Sequence, residues 1–326
     1  MINPKTLDAA SPMILDQKPV LKSYLKPLWP YLNIKDLVEL NVNAEKELRL
    51  EIAGEKTRFI KVENLDLKYW TNLCHVLANG SGLAFDTEKQ PRVSVELPGG
   101  HRFEAMVGSH SKKTISVSIR IKRNIELDIE SFGLTGDEKE KIIGFVRNGA
   151  NMVISGGTSS GKTTFLNTLV RYIPAETRIL TVEDTYELDI PHHDQINYVV
   201  SRNESNPAIG YAQIIDHLVR SRPDVIIAGE VSVSNSFPII RMLNSGHSGF
   251  MCTVHANTPE LALGSAIPQN IVMAGIQVPN IEKILYELID VVIQLHRTRN
   301  GERVVTDILY PKLKKRVELN VECPIE

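Results

Sequence analysis

Cysteine is scarce. Three residues in 326, Cys74, Cys252 and Cys323, are too few and too scattered for a disulfide framework or a zinc cage, and they read as the reduced thiols of a cytosolic protein. Long apolar runs are also missing. None approaches the ~18 residues of a spanning helix, so any membrane association is expected to be peripheral. The first residues are not expected to form a signal peptide, because Pro12, Asp16, Lys18 and Pro19 interrupt the first apolar stretch. Charge excess is missing too. The formal net charge is −2, and no basic stripe interleaved with aromatics runs along the chain, which argues against a protein that lives by wrapping nucleic acid. There is no internal repeat and no low-complexity tract. What remains is an ordinary globular composition in a chain long enough for two domains.

The most informative stretch present is Gly156-Gly157-Thr158-Ser159-Ser160-Gly161-Lys162-Thr163, a complete phosphate-binding loop pattern. It follows the apolar run Met152-Val153-Ile154 and opens a helix-like segment, 164–170, that stops before Pro174. Strand, glycine-rich loop and helix in that order let backbone N–H groups wrap a β-phosphate, while the helix N-terminus adds a favourable field. Gly156 to Gly161, with Lys162, Thr163 and Thr164, are therefore expected to hold the phosphates of a nucleotide. Lys162 is expected to reach the β- and γ-phosphates, and the Thr163 hydroxyl to ligate Mg²⁺.

Around this loop the chain divides. Residues 1–124 read as a small α+β domain, led by a loose Pro- and Lys-rich arm of about thirty residues. Spacing predicts a helix over 34–40, strands over 48–52 and 57–62 joined by a turn at 53–56, and a helix around 69–77. Two more strands, 102–107 and 114–121, flank an exposed loop at 108–113. Residues 125–137 carry acids, Gly133 and Gly136 without clear period, and are expected to form a linker. In 138–326, apolar strands at 152–155, 178–182, 224–228 and 250–253 alternate with helical segments, which predicts an α/β domain with a mostly parallel sheet flanked by helices. The basic cluster Lys312, Lys314, Lys315 and Arg316 is expected to be a solvated surface strand or turn.

A phosphate loop alone does not separate kinases, GTPases, transporters and motors. Two strands after it end in carboxylates, one at Glu183-Asp184 and the other at Glu230. In a parallel sheet both ends face the crevice of the phosphate loop, where a carboxylate can orient or deprotonate water. The second strand has Gly229 where most P-loop ATPases place an aspartate.

With Arg220-Ser221-Arg222-Pro223-Asp224 before it, that strand resembles the secretion ATPase superfamily of type II and type IV secretion and type IV pilus assembly. The segment 181–185 resembles the family's acidic box, and 245–257, carrying His247 and His255, resembles its histidine box. The compact N-terminal region and the absence of a four-cysteine insertion resemble the cytoplasmic ATPases of type IV secretion systems, the VirB-operon kind.

The resemblance implies a RecA-like ATPase domain that binds ATP with Mg²⁺, and roles within it. Glu230 is expected as general base, with Glu183 near the metal, directly or through water. His247 and His255 are expected to sense phosphate, and Arg102 and Arg120 to lean from the N-terminal domain over the nucleotide phosphates. It also implies a homo-oligomer, expected to be a hexamer, at the cytoplasmic face of the inner membrane beside membrane components of the machine, with nucleic acid not a direct ligand. Where the family commonly has an arginine and then an acid after the Gly-Glu-Val step, this chain has Ser232 and Asn235; Ser265 replaces another usual arginine. These departures are expected to remove charge from a surface facing a neighbouring subunit. Three alternatives stay open: a pilus assembly or retraction motor, a nucleic-acid motor on the same core, and a weakly hydrolysing nucleotide-binding scaffold.

Overall fold

The computed structural model describes residues 18–122, 126–200 and 209–319, which divide into two compact units, 18–122 and the described residues from 126 on. Most of the expected N-terminal arm, the junction at 124–125 and Cys323 lie outside the described residues.

The first unit is a six-stranded antiparallel sheet in the order β3-β2-β1-β6-β5-β4. Its strands are β1 Leu37–Ala44, β2 Glu47–Ile52, β3 Arg58–Lys61, β4 Arg92–Leu97, β5 His101–Val107 and β6 Ile115–Arg120. Alternation sets the faces: Phe103, Ala105 and Val107 of β5 and Ile115, Val117 and Ile119 of β6 point into the core. There they meet helices α1 (Pro19–Leu25) and α2 (Leu67–Gly80), whose Leu25, Trp70, Leu73 and Leu77 are buried. Asp66 caps α2 by accepting from Tyr69 N at 2.8 Å.

Two expectations fail in this unit, and one strand was missed. The helix expected over 34–40 is strand β1. A register shift between Leu37 and Glu39 inserts one extra residue, so Leu37 and Leu40 share the buried face at a three-residue spacing that imitates a helix. The arm is not loose from Pro19 onward. Short helical turns continue through Lys26–Leu28 and Trp29–Leu32, with Pro27 and Pro30 in first-turn positions, and Leu25, Leu28 and Leu32 are buried. Strand β4 was not anticipated.

The second unit holds an eight-stranded sheet in the order β14-β13-β12-β7-β11-β10-β8-β9. The run from β12 to β9 is parallel, and β13 and β14 add antiparallel strands at one edge. The central strands β7 (Met152–Gly156), β8 (Ile179–Glu183), β10 (Val225–Ala228) and β11 (Phe250–Val254) are buried at every residue, as in a sheet covered on both faces. The others are β9 Gln195–Val199, β12 Val291–Arg297, β13 Arg303–Tyr310 and β14 Lys315–Glu318. One face packs against α3 (Gly136–Arg147) and α4 (Lys162–Val170). The other packs against α5 (Tyr211–Arg220), α6 (Ser236–Asn244), α7 (Ile267–Met273) and α8 (Ile281–Leu288).

The stretch expected as a linker is largely core. Ile129, Phe132 and Leu134 are fully buried, Phe132 meets Phe165 of α4 edge to face at 4.9 Å, and the Thr168 hydroxyl donates to Leu127 O at 3.0 Å. Gly133 and Gly136, with φ of 75° and 62°, shape this turn rather than loosen it. The basic cluster is a paired surface, as expected: Lys312 binds Asp290 and Arg316 binds Asp307. Among the described residues no helix is long and apolar enough to cross a membrane.

Candidate functional site

Strand β7 ends at Gly156, and the chain turns through Ser159 (φ 60°) and Gly161 (φ 89°) before α4 begins at Lys162. Two left-handed residues in so short a loop turn successive N–H groups toward a common centre. Gly156 and Gly161 are sterically required. A Cβ on Gly156 would lie 2.6 Å from Leu295 O, whereas Gly157 has nothing within 4 Å and leaves the loop open.

The loop cation is held inward. Lys162 is 7 % exposed, and its Nζ donates to Gly156 O at 3.0 Å and Gly157 O at 2.8 Å and lies 3.1 Å from His255 Nδ1. His255 follows the C-terminal end of β11, and its Nε2 lies 3.2 Å from Glu230 Oε1. A lysine ammonium only donates, so Nδ1 accepts and Nε2 carries the proton toward Glu230. The parallel sheet thus brings Lys162, His255 and Glu230 to one edge.

Glu183, at the end of β8, is placed differently. It is 2 % exposed, and its Oε1 accepts from Glu187 N and Leu188 N, both at 2.9 Å, so it anchors the segment that follows β8. This explains Gly229. A Cβ there would meet Glu183 Cγ at 3.0 Å, so the space of the usual aspartate is taken by Glu183. Thr163 stands in the first turn of α4.

Two expectations are corrected. His247 is not gathered with His255. It precedes β11, whose five residues run from Phe250 at the far edge of the sheet to Val254 beside the loop, a rise of roughly 13 Å. The histidine box therefore spans the sheet instead of lining one site. Asn235, expected on a subunit-facing surface, is fully buried and bound within its own loop.

In the first unit Arg102 and Arg120 stand directly opposite each other on β5 and β6. Arg102 donates to Glu104 Oε1 at 3.0 Å. Burial would raise the Glu104 carboxyl, but hydrogen bonds from Ser94 and Arg102 with the charges of Arg102 and Arg92 hold it below the usual carboxylate range.

Arg303 was missed. Its stem packs on Gly161, where a Cβ would lie 3.1 Å from its Cγ and Cδ. It is the register partner of Arg297 across β12–β13, and burial with the Arg297 charge lowers its pKa. The hairpin signal Asn300-Gly301 between the two arginines was the available clue.

A parallel sheet with helices on both faces, a glycine-rich loop entering α4, and a lysine, histidine and glutamate at the strand ends define a P-loop nucleotide-binding ATPase unit. The chain belongs to the family described as type II/IV secretion system protein, which its residues 91–296 match. It is 28% identical to the type IV secretion system protein VirB11 of Bartonella quintana over 340 aligned positions, covering 91% of this chain and 94% of that one. It is 33% identical to a probable conjugal transfer protein TrbB of Sinorhizobium fredii over 226, covering 67% of each. The pilus retraction motor PilT with bound ADP shares the fold at a TM-score of 0.63 and 18% identity, covering 91% of this chain and 83% of that one. The ATPase DotB of Legionella pneumophila does so at 0.62 and 17%, covering 88% and 80%.

Proposed function

We propose that the protein is the ATP-hydrolysing motor of a type IV secretion system, turning over ATP in a hexameric ring to drive substrate export or pilus biogenesis. The observation that carries the reading is the chain from Lys162 through His255 to Glu230, which links the phosphate-loop cation to a carboxylate through the histidine box. The names of the VirB11 and TrbB relatives support the secretion and conjugation setting.

The loop fits a triphosphate. Gly157 leaves open space, and Lys162 is within reach of the loop centre through carbonyls it can exchange for phosphate oxygens. The site also fits Mg²⁺ held mainly by phosphate oxygens. Among the described residues no group of three His, Cys, Asp or Glu forms a cage for a metal, and the Thr163 hydroxyl stands at the start of α4. Bound Mg²⁺ supplies neutralisation of charge developing on the β- and γ-phosphates. Glu230 takes the proton of the attacking water. Glu183 supports that water and the metal from behind by fixing the segment after β8. When Lys162 turns to phosphate it releases His255 Nδ1, which ties occupancy of the loop to the histidine's orientation.

The N-terminal unit and the unit that begins with residue 126 act as the two moving domains. Arg102 and Arg120 are the residues of the N-terminal unit that the resemblance assigns to the nucleotide phosphates, and Arg102 is paired with Glu104. Residues 127–134 do not act as the pivot, because their apolar side chains belong to the core of the second unit. The ring works at the cytoplasmic face of the inner membrane with membrane components of the machine.

Phosphate release by the purified full chain, with sedimentation to count subunits, tests the reading. Turnover that falls in Glu230→Gln, in a six-subunit particle indifferent to single-stranded DNA, supports it. Parental turnover in Glu230→Gln sinks the assignment, and strong stimulation by single-stranded DNA favours a nucleic-acid motor.

A further inference from the structure

Glu230 has no strand of its own beyond Ala228, so the backbone that carries it must be held by other means. On one side Thr253 of β11 holds it: the Thr253 hydroxyl donates to Gly229 O at 2.7 Å, and Val231 N donates to Thr253 O at 2.8 Å. On the other side stands Asn235. Its Nδ2 donates to Glu230 O at 2.8 Å, and its Oδ1 accepts from Ser232 N at 2.8 Å. Asn235 is 0 % exposed and sits just before α6, yet its side chain makes no capping bond to that helix. It faces back into the loop 230–235. Backbone bonds from Asn235 N and Ser236 N to Ser232 O close the same loop.

We propose that Asn235 is a positioning residue for Glu230, and that it works as a neutral amide because its place requires one donor and one acceptor at once. The proposal rests on the reading of Glu230 as general base. These bonds clamp the backbone around Glu230, and its side chain meets His255. A base must lie within hydrogen-bond reach of the proton it removes, and a shift of about 1 Å costs roughly 10²-fold in rate. An ionised carboxylate at this place accepts from Ser232 N but cannot donate to Glu230 O. Ser232 supplies no positive charge to such a carboxylate either. Serine and asparagine are therefore coupled here: a neutral clamp stands where the resemblance leads one to expect an arginine and an acid.

The test compares the full chain with Asn235→Asp, Asn235→Ala and Glu230→Gln. Three readouts are needed from about pH 6 to about pH 8: affinity for a fluorescent non-hydrolysable ATP analogue, kcat and KM for ATP hydrolysis, and melting temperature. Both Asn235 variants are expected to bind the analogue within about twofold of the parent, while kcat falls about tenfold or more at the upper pH. The deficit of Asn235→Asp narrows as pH falls. Burial raises its carboxyl pKa, and the protonated group again offers one donor and one acceptor. The deficit of Asn235→Ala does not narrow. A purely structural amide lowers the melting temperature and leaves kcat unchanged well below it; that result, with Glu230→Gln inactive, overturns the positioning role and spares the base. Loss of analogue binding in both Asn235 variants also overturns it, since the residue then supports the phosphate loop. Parental kcat in Glu230→Gln removes the base assignment and the proposal together.

Discussion

Lys162 Nζ lies 3.1 Å from His255 Nδ1, and the same imidazole reaches Glu230 Oε1 from its other nitrogen at 3.2 Å. One ring in one tautomer therefore spans the distance between the phosphate-loop cation and the carboxylate. Removing each end has a different consequence. Lys162→Ala is expected to abolish measurable ATP binding, because it deletes the cation of the loop. His255→Ala is expected to bind an ATP analogue within a few-fold of the parent while losing about tenfold or more in kcat. Fluorescent-analogue titration beside phosphate release separates the two, and equal loss of binding in both variants contradicts the relay.

The two carboxylates at the sheet edge differ in what they hold. Glu230→Gln is expected to slow hydrolysis by ~10²-fold or more with little change in melting temperature. Glu183→Gln weakens two hydrogen bonds to backbone amides of the segment after β8, at an expected cost of about 1–3 kcal/mol in stability. Denaturant melts of both variants, run beside turnover, check the split; a stability loss confined to Glu230→Gln reverses it.

Gly229→Ala places a methyl 3.0 Å from Glu183 Cγ, tighter than most packed contacts, so Glu183 must give by a few tenths of an ångström. The expected loss is about 1–3 kcal/mol, with reduced turnover because Glu183 must shift. Unchanged stability in urea denaturation counts against the view that Glu183 occupies the usual aspartate's place.

Much of this site was legible in the sequence because its parts are local. Gly156 to Thr163 form one loop, and an apolar run followed by an acid marks a buried parallel strand whichever strands flank it. The misses came from non-local packing. Leu37 and Leu40 share a face only because β2 pairs around an extra residue, which spacing alone reads as a helix. Ile129, Phe132 and Leu134 are too few to show a period, and their burial depends on α4. His247 and His255 are near in sequence, but a strand between them carries one to each edge of the sheet. Asn235 gives no signal by composition, since a buried clamp and a surface asparagine are written with the same letter.

Acid should weaken the first unit through His101. Burial, with the Lys122 charge, lowers this imidazole from 6.5 to about 4, and its Nδ1 accepts from Lys122 N. The unfolded chain takes up the proton first, so the neutral ring's contribution is complete above 6.5 and is lost as pH falls toward 4. At ~1.4 kcal/mol per pKa unit the total is ~3 kcal/mol. Melting curves of the full chain and of His101→Gln across this window check it, with a flatter pH dependence expected in the variant.

Arg102 and Arg120 test the two-domain mechanism. Like charges directly opposite on neighbouring strands repel, and Glu104 engages Arg102. Arg102→Ala/Arg120→Ala is expected to weaken ATP affinity or turnover and to reduce the compaction that ATP analogues induce in small-angle scattering. Normal affinity, turnover and compaction assign the N-terminal unit to docking alone.

Each unit also contains a chemically silent reporter. Cys74 in α2 and Cys252 in β11 are buried thiols; burial pushes Cys74 up to about 12 and raises Cys252 as well. Such thiols react with a maleimide only when their surroundings open. In a Cys323→Ser background, the labelling rate at Cys74 reads the opening of the first unit and that at Cys252 the opening of the second. Mass spectrometry of the two peptides then gives separate opening free energies for the two units from one scaffold with a single substitution, with and without nucleotide.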